Sequence, residues 1–162
     1  KMLAEVIIAS KKGLDTSKPV HLFGCGHPML FALATFLGCD LFDSSSYAKF
    51  ASRDSLMFTW GTRNLEELEI IPSEFSAAPG ININELKAME KKERQKIIAK
   101  HNLIASFAEI RRVKQAIHDG LLWELVESRL RTSPALMKVF EVIKKEIDWI
   151  GEFEPEIGRA HV

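Results

Sequence analysis

The chain has 162 residues, 46% of them apolar, and Lys plus Arg balance Asp plus Glu at 22 each. That length buries one sizeable core, and a zero net charge selects no partner class, although a local basic patch still binds phosphates. Two cysteines, Cys25 and Cys39, exclude a disulfide scaffold and a four-thiolate zinc site and fit a reducing cytoplasm, and no apolar run approaches the roughly 18 residues of a membrane span.

In chain order, KMLAEVIIASKKG reads as a helix stopped at Gly13 rather than as a signal peptide. A first residue of Lys rather than Met is expected of a chain cut from a longer one. After the polar LDTSKP comes VHLF (20–23), a short apolar run ended by GCGHP. Gly24 and Gly26 permit backbone conformations closed to other residues, and Pro28 suits the first turn of a helix over 29–38 that stops at Gly38. CDLF (39–42) follows at once. Both runs are three-quarters apolar, as expected of parallel strands covered on both faces. LMFT (56–59) reads as a further strand before a turn, WGTRN.

The character changes at Pro72. IPSEFSAAPG is irregular, and from about Asn84 the chain is helical nearly to its end, with Ile97, Ile98, Ile104, Ile110, Val113 and Ile117 spaced for one helical face and Asn102 marking a break. Gly120 punctuates, LLWELVESRL continues, and Ser133-Pro134 starts a last amphipathic helix, SPALMKVFEVIKKEIDWI. Two or three parallel strands cannot close a sheet around themselves, and a complete eight-stranded barrel takes about 250 residues. The chain therefore reads as the tail of a larger α/β structure with a helical attachment.

In parallel α/β folds ligands lie at the carboxyl ends of strands. Two features sit there: the GCGHP turn after Phe23, and Asp43 with its serines after Phe42. If the strands are neighbours, the two face one cleft. Phe23 then offers a stacking face, and Asp43 a nucleophile or base. From spacing alone Asp43 suits the N-cap of a helix in SSSYAKFA better than it suits a catalytic role. The two cysteines read as small buried residues and His27 as a turn residue. GCG lacks the third glycine of the dinucleotide fingerprint.

PVHLFGCGHPMLFALATFLGCDLFDSSSYAKFA (19–51) resembles the last third of the catalytic barrel of tRNA-guanine transglycosylases, specifically the archaeal kind that acts in making archaeosine. The similarity continues through FTWGTRNLEELEIIP (58–72), KHNL (100–103) and IRRVKQAIHDGLLWELVESRLRTSPAL (110–136). The resemblance implies the C-terminal portion of a TIM-type (β/α)8 barrel over 1–71, a degenerate zinc-loop region over 72–84 and a helical extension over 85–162. The family's nucleophile is the second aspartate of Asp-hydrophobic-Phe-Asp, which falls on Asp43. By resemblance its carboxylate attacks C1′ of a guanosine ribose, displaces guanine and forms a covalent enzyme–tRNA intermediate. A 7-deazaguanine base, preQ0 in archaea, then takes the vacated place. A carboxylate suits this step because C1′ develops oxocarbenium-like charge that a close anion stabilises and then bonds. LFGCG matches a wall of the base pocket, formed by Phe23, Gly24 and Gly26. The family's general acid/base belongs to the N-terminal half of the barrel, an implied partner, so this piece alone is not expected to catalyse.

The family's structural zinc uses Cys-x-Cys-x2-Cys…His. Here those positions fall on Ser73, Phe75, Ala78 and His101, so no zinc is expected and His101 is a remnant. The loss also fits archaeosine synthases, a paralogous branch that attaches lysine to preQ0 already in tRNA using another domain. A third reading is a non-catalytic tRNA-binding or dimer-forming subunit. Among the basic clusters, Arg111, Arg112 and Lys114 lie in the resembling region and are the expected tRNA phosphate contacts, set against an ordinary solvated surface relieved by Glu90, Glu93, Glu109 and Glu127. Val139, Phe140, Ile147 and Trp149 require a cover: the missing barrel half, a twin subunit in a homodimer, or accessory RNA-binding domains.

Overall fold

The structure, a computed structural model, describes residues 1–153 apart from Thr16 and Ser76. Residues 154–162 of the expected helical extension lie outside the described residues. Helix α1 (Met2–Lys12) ends at Gly13, as its sequence predicts. Strand β1 (His21–Leu22) leads through the glycine turn into α2 (Pro28–Phe36), with Pro28 in its first turn. Strand β2 (Leu41–Phe42) follows, and pairs parallel with β1, His21 opposite Leu41 and Leu22 opposite Phe42. The strand–turn–helix–strand order is thus the one read from sequence, with the helix two residues shorter at its end.

Helix α3 (Ser46–Ala51) then leads to β3 (Ser55–Phe58). This strand does not extend the parallel pair. It forms an antiparallel hairpin with β4 (Gly61–Asn64), so most of the segment expected to be a turn is a strand. Its Gly-Thr-Arg-Asn sequence is polar because β4 is half exposed, which erased the apolar signal. Asn64 caps the 3-10 turn Leu65–Glu67 with a reciprocal capping box.

Helices α4 (Ile83–Ala88) and α5 (Lys91–His118) follow. The expected break at Asn102 is absent: α5 runs unbroken for 28 residues, about 42 Å at helical rise. Asn102 is fully buried and works as a clasp. Its Oδ1 accepts from the Met57 amide at 2.7 Å, and its Nδ2 donates to the carbonyls of Tyr47 and Ser55, each at 3.1 Å. An amide side chain satisfies both kinds of backbone group at once, so α5 is tied to β3 through polar groups that would otherwise be buried unpaired.

After Gly120 (φ 70°) come α6 (Leu122–Leu130), the single turn α7 (Pro134–Met137) and α8 (Val139–Phe153). The last helix is therefore two pieces. Ser133 caps the first, its Oγ accepting from the Ala135 amide. Two cores result. One gathers α1, α2, α6, α8 and the C-terminal half of α5 around Phe36, Leu37, Val113, Leu130 and Ile143. The other gathers α3, the hairpin, α4 and the N-terminal half of α5 around Leu56, Phe58, Leu65, Leu86 and Ile98. Within the chain, Val139 is buried, and Phe140, Ile147 and Trp149 are partly buried against the first core, where Lys12 lies over the Trp149 ring and pairs with Glu146. No helix among the described residues is long and apolar enough to cross a membrane.

Candidate active site

The parallel register decides which residues meet. Side chains alternate along a strand, so His21 and Phe23 share a face, and pairing His21 with Leu41 puts Leu41 and Asp43 on that same face. Leu22 and Phe42 point the other way, into the first core. The His21 face is open: Phe23 is 81% and Leu41 53% exposed.

The two aspartates of DLFD tie β2 to the two ends of β1. Asp40 Oδ2 accepts from the Val20 amide at 2.7 Å, ahead of β1. Asp43 Oδ1 accepts from the Gly24 amide at 2.9 Å, beyond it, and lies 3.1 Å from His21 Nε2. Asp43 and the glycine turn thus share one cleft, as expected for neighbouring strands. Asp43 is not the N-cap of α3. The Oγ of Ser44 accepts from the Ser46 amide at 2.8 Å instead, which leaves the carboxylate to the cleft. The cation absent from its sequence neighbourhood is supplied in space: His21, 22 residues earlier, is its ion-pair partner when protonated.

The two glycines have different reasons. Gly24 adopts φ 74° in open space, a conformation that strains any side chain. At Gly26 the constraint is contact, since a Cβ there would lie 2.0 Å from the Cβ of Ser44. The turn and the loop after Asp43 therefore pack backbone to side chain. His27, read from sequence as a turn residue, caps α2: its Nδ1 accepts from the Met29 amide at 3.3 Å, and its Nε2 lies 2.9 Å from Thr62 Oγ1 on β4. With Nδ1 accepting, the proton sits on Nε2 and donates to the threonine. Burial pushes the His27 pKa down to about 4, so the ring is neutral at pH 7. Cys39 is buried and Cys25 half-buried, and burial pushes the Cys25 thiol up.

A groove of about 620 Å³ runs from Asp43 along β2 and α2 to α5; Gly26, Asp43, Ser44, Tyr47, Phe107 and Lys114 are in its lining. Phe23 and Gly24 stand outside that lining, at the rim where the Gly24 amide meets Asp43. The basic residues of α5 are not equivalent. Arg111 and Lys114 are exposed. Arg112 donates to Glu109 Oε2 at 2.9 Å, and Arg129 binds both oxygens of the same carboxylate, at 2.7 and 2.9 Å. Glu109, counted from sequence among the surface glutamates, is fully buried. A 0% exposed carboxylate needs such partners, so Arg129, and in part Arg112, are structural.

The resemblance puts the family's zinc positions at Ser73, Phe75, Ala78 and His101, of which Phe75, Ala78 and His101 pack with the hairpin. His101 is completely buried, with Nε2 donating to the Met57 carbonyl at 3.1 Å, and burial pushes its pKa down to about 4. Its Nδ1 has no partner among the described residues. The space around the ring is aromatic: the Phe75 and Phe58 rings each lie 5.0 Å from it, and Trp60 stacks on Phe58 at 4.6 Å with Arg63 over its outer face. Phenylalanine and alanine supply no donor and Ser73 no thiolate, so the residues present do not fit a structural zinc site. Among the described residues no group of three His, Cys, Asp or Glu could hold a metal ion.

Comparison with known proteins gives the family. The sequence model of the queuine tRNA-ribosyltransferase family matches residues 1–135. The chain is similar to the tRNA-guanine(15) transglycosylase of Methanocaldococcus jannaschii, 51% identical over 94% of this chain and 24% of the relative. It is also similar to the proteins of that name from Methanococcus vannielii, 47% identical over 94% of this chain, and Methanothermobacter thermautotrophicus, 47% identical over 98%. Each is covered to 24%, so the chain spans about a quarter of the length of the curated relatives it matches. With a matching model over most of its length, the chain belongs to the queuine tRNA-ribosyltransferase family.

Proposed function

We propose that this chain is the C-terminal portion of a transglycosylase (β/α)8 barrel with its helical extension, and that the complete protein exchanges guanine for a 7-deazaguanine base in tRNA through Asp43. The observation that carries the reading is Asp43 itself: a half-exposed carboxylate at the carboxyl end of a parallel strand pair, oriented by the Gly24 amide and His21 and opening on the groove. Relatives named for base exchange favour this over the lysine-adding and non-catalytic readings.

In the reaction the C1′–N9 bond breaks and its electron pair leaves with guanine, which takes a proton from a general acid elsewhere in the barrel. An Asp43 oxygen bonds to C1′. The incoming base then attacks C1′ through its N9 position, gives up its proton to the group that had protonated guanine, now its conjugate base, and releases the carboxylate. Phe23, Gly24 and Gly26 are the proposed wall of the base pocket, and Arg111 and Lys114, with Arg112 contributing what Glu109 leaves free, the proposed phosphate contacts. The free edge of β2 and the exposed Leu41, Leu103 and Phe107 support pairing with the N-terminal half of the barrel. The chemistry around His101 supports a protein without the structural zinc, and a tRNA substrate supports a cytoplasmic one.

The test uses the complete protein and unmodified tRNA, with denaturing gels read for a covalent protein–tRNA band. Wild type is expected to give the band and Asp43→Asn none, at equal tRNA binding. A band of equal strength from Asp43→Asn would contradict the reading.

A further inference from the structure

Two donors converge on one oxygen of Asp43. The Gly24 amide reaches Oδ1 at 2.9 Å and His21 Nε2 reaches the same Oδ1 at 3.1 Å. No described residue donates to Oδ2. The two oxygens of this carboxylate are therefore inequivalent before any substrate arrives. His21 is placed for this by the strand: it lies on the same face as Asp43, and its imidazole and the Phe23 ring meet in a T-shaped contact, centroids 5.9 Å apart at 72°. A backbone amide alone fixes a point; a second donor from another direction fixes the rotation of the carboxylate plane. At 47% side-chain exposure, little else around Asp43 restrains that rotation.

We infer that His21 is a positioning residue for base exchange: its Nε2–H and the Gly24 N–H together hold Asp43 Oδ1 and present Oδ2 as the oxygen that attacks C1′. The inference rests on the reading of Asp43 as nucleophile. A saturated Oδ1 is the poorer nucleophile, because its lone pairs already face donors, whereas Oδ2 keeps its own for the developing cation. His21 acts by orientation and does not touch the reacting sugar. Its neutral form suffices, since Nε2–H is the donor required.

The experiment measures single-turnover formation of the covalent protein–tRNA complex by the complete protein, with tRNA affinity measured separately, for wild type, His21→Leu, His21→Gln and Asp43→Asn. His21→Leu is expected to slow complex formation by roughly ten- to hundredfold, the scale of a mispositioned reacting group, at unchanged affinity. His21→Gln, whose amide can donate to the same oxygen, is expected to recover most of the loss. His21 is about half exposed, so neither variant disturbs a core. A His21→Leu protein at wild-type rate, with Asp43→Asn inert, overturns the role of His21 and leaves the nucleophile standing. So does a glutamine variant as slow as leucine, or a loss confined to tRNA affinity. If Asp43→Asn still forms the complex, the reading of Asp43 fails and the role of His21 falls with it.

Discussion

The parallel pair and the hairpin treat their polar groups in opposite ways. At the parallel pair, the carboxylate of Asp43 is about half exposed and held by one backbone amide and one histidine at the edge of a groove. At the hairpin, His101 is fully buried, one ring nitrogen has no described partner, and the Phe58 and Phe75 rings pack against it at a tilt. The first arrangement leaves a charged group available at little gain in packing. The second spends nearly all its surface on packing and leaves an unmet hydrogen-bonding atom, a loss of about 1–3 kcal/mol that aromatic burial offsets. The proposed chemistry and the aromatic packing thus fall beside different cores, one joined by the C-terminal half of α5 and the other by its N-terminal half.

The sharpest way to break this contrast is a pair of substitutions with opposite signatures. Asp43→Asn keeps an acceptor oxygen for the Gly24 amide and His21, so stability is expected to change by less than about 1 kcal/mol while the covalent complex disappears. Phe75→Ala removes a ring that is 8% exposed, and is expected to lower stability by about 3–5 kcal/mol while leaving complex formation intact below the melting transition. Denaturant unfolding alongside the gel assay reads both. If Phe75→Ala proves neutral, the aromatic packing is not what holds the hairpin.

Metal content is the next discriminator. With His101 as the one ligand left among the four corresponding positions, metal analysis of the purified complete protein is expected to give far less than one zinc per chain, and chelator to leave its melting temperature unchanged. A stoichiometric zinc lost to chelator with a fall in melting temperature would place a metal where Phe75 now packs.

A further expected effect is in pH dependence. The folded-state pKa of His27 is pushed below its ordinary value to about 4, so between pH 6.5 and 4 the unfolded chain binds a proton that the folded chain refuses. Stability is therefore complete above about pH 6.5 and declines as pH falls towards 4, by at most about 3 kcal/mol from this group. Thr62 and the Phe50 ring, from β4 and α3, face the imidazole, and neither titrates in this range. His27→Asn, which can still cap α2, is expected to reduce the pH slope by up to one proton; an unchanged slope would show that His27 titrates freely.

Much of this was legible in the sequence, for reasons that are local. Gly13, Pro28 and Ser133-Pro134 mark helix ends through backbone chemistry that depends on no distant contact. VHLF and CDLF read as strands covered on both faces, yet only the Leu22 and Phe42 face packs on the first core while Phe23 and Leu41 are exposed; the aspartate at the end of such a strand still stands out. What escaped depends on partners distant in sequence. Strand β4 is polar because it is half exposed, so no alternation announced it. Asn102 looked like a helix breaker because its partners, Met57, Tyr47 and Ser55, lie some 45 to 55 residues away. Glu109 looked solvated because Arg129 lies 20 residues on, in another helix. His21 was passed over for the same reason: only the parallel register brings it to Asp43. The one available signal was its alternation with Phe23 along VHLF.

The measurement that tests the central claim most directly is residue mapping of the trapped intermediate. The complete wild-type protein is incubated with unmodified tRNA without incoming base, quenched in denaturant, digested with nuclease and protease, and analysed by mass spectrometry. The account predicts a ribose-linked adduct on the peptide carrying DLFDSSSY, with fragmentation assigning it to Asp43. An adduct on any other residue, or guanine release with no adduct at all, would contradict it.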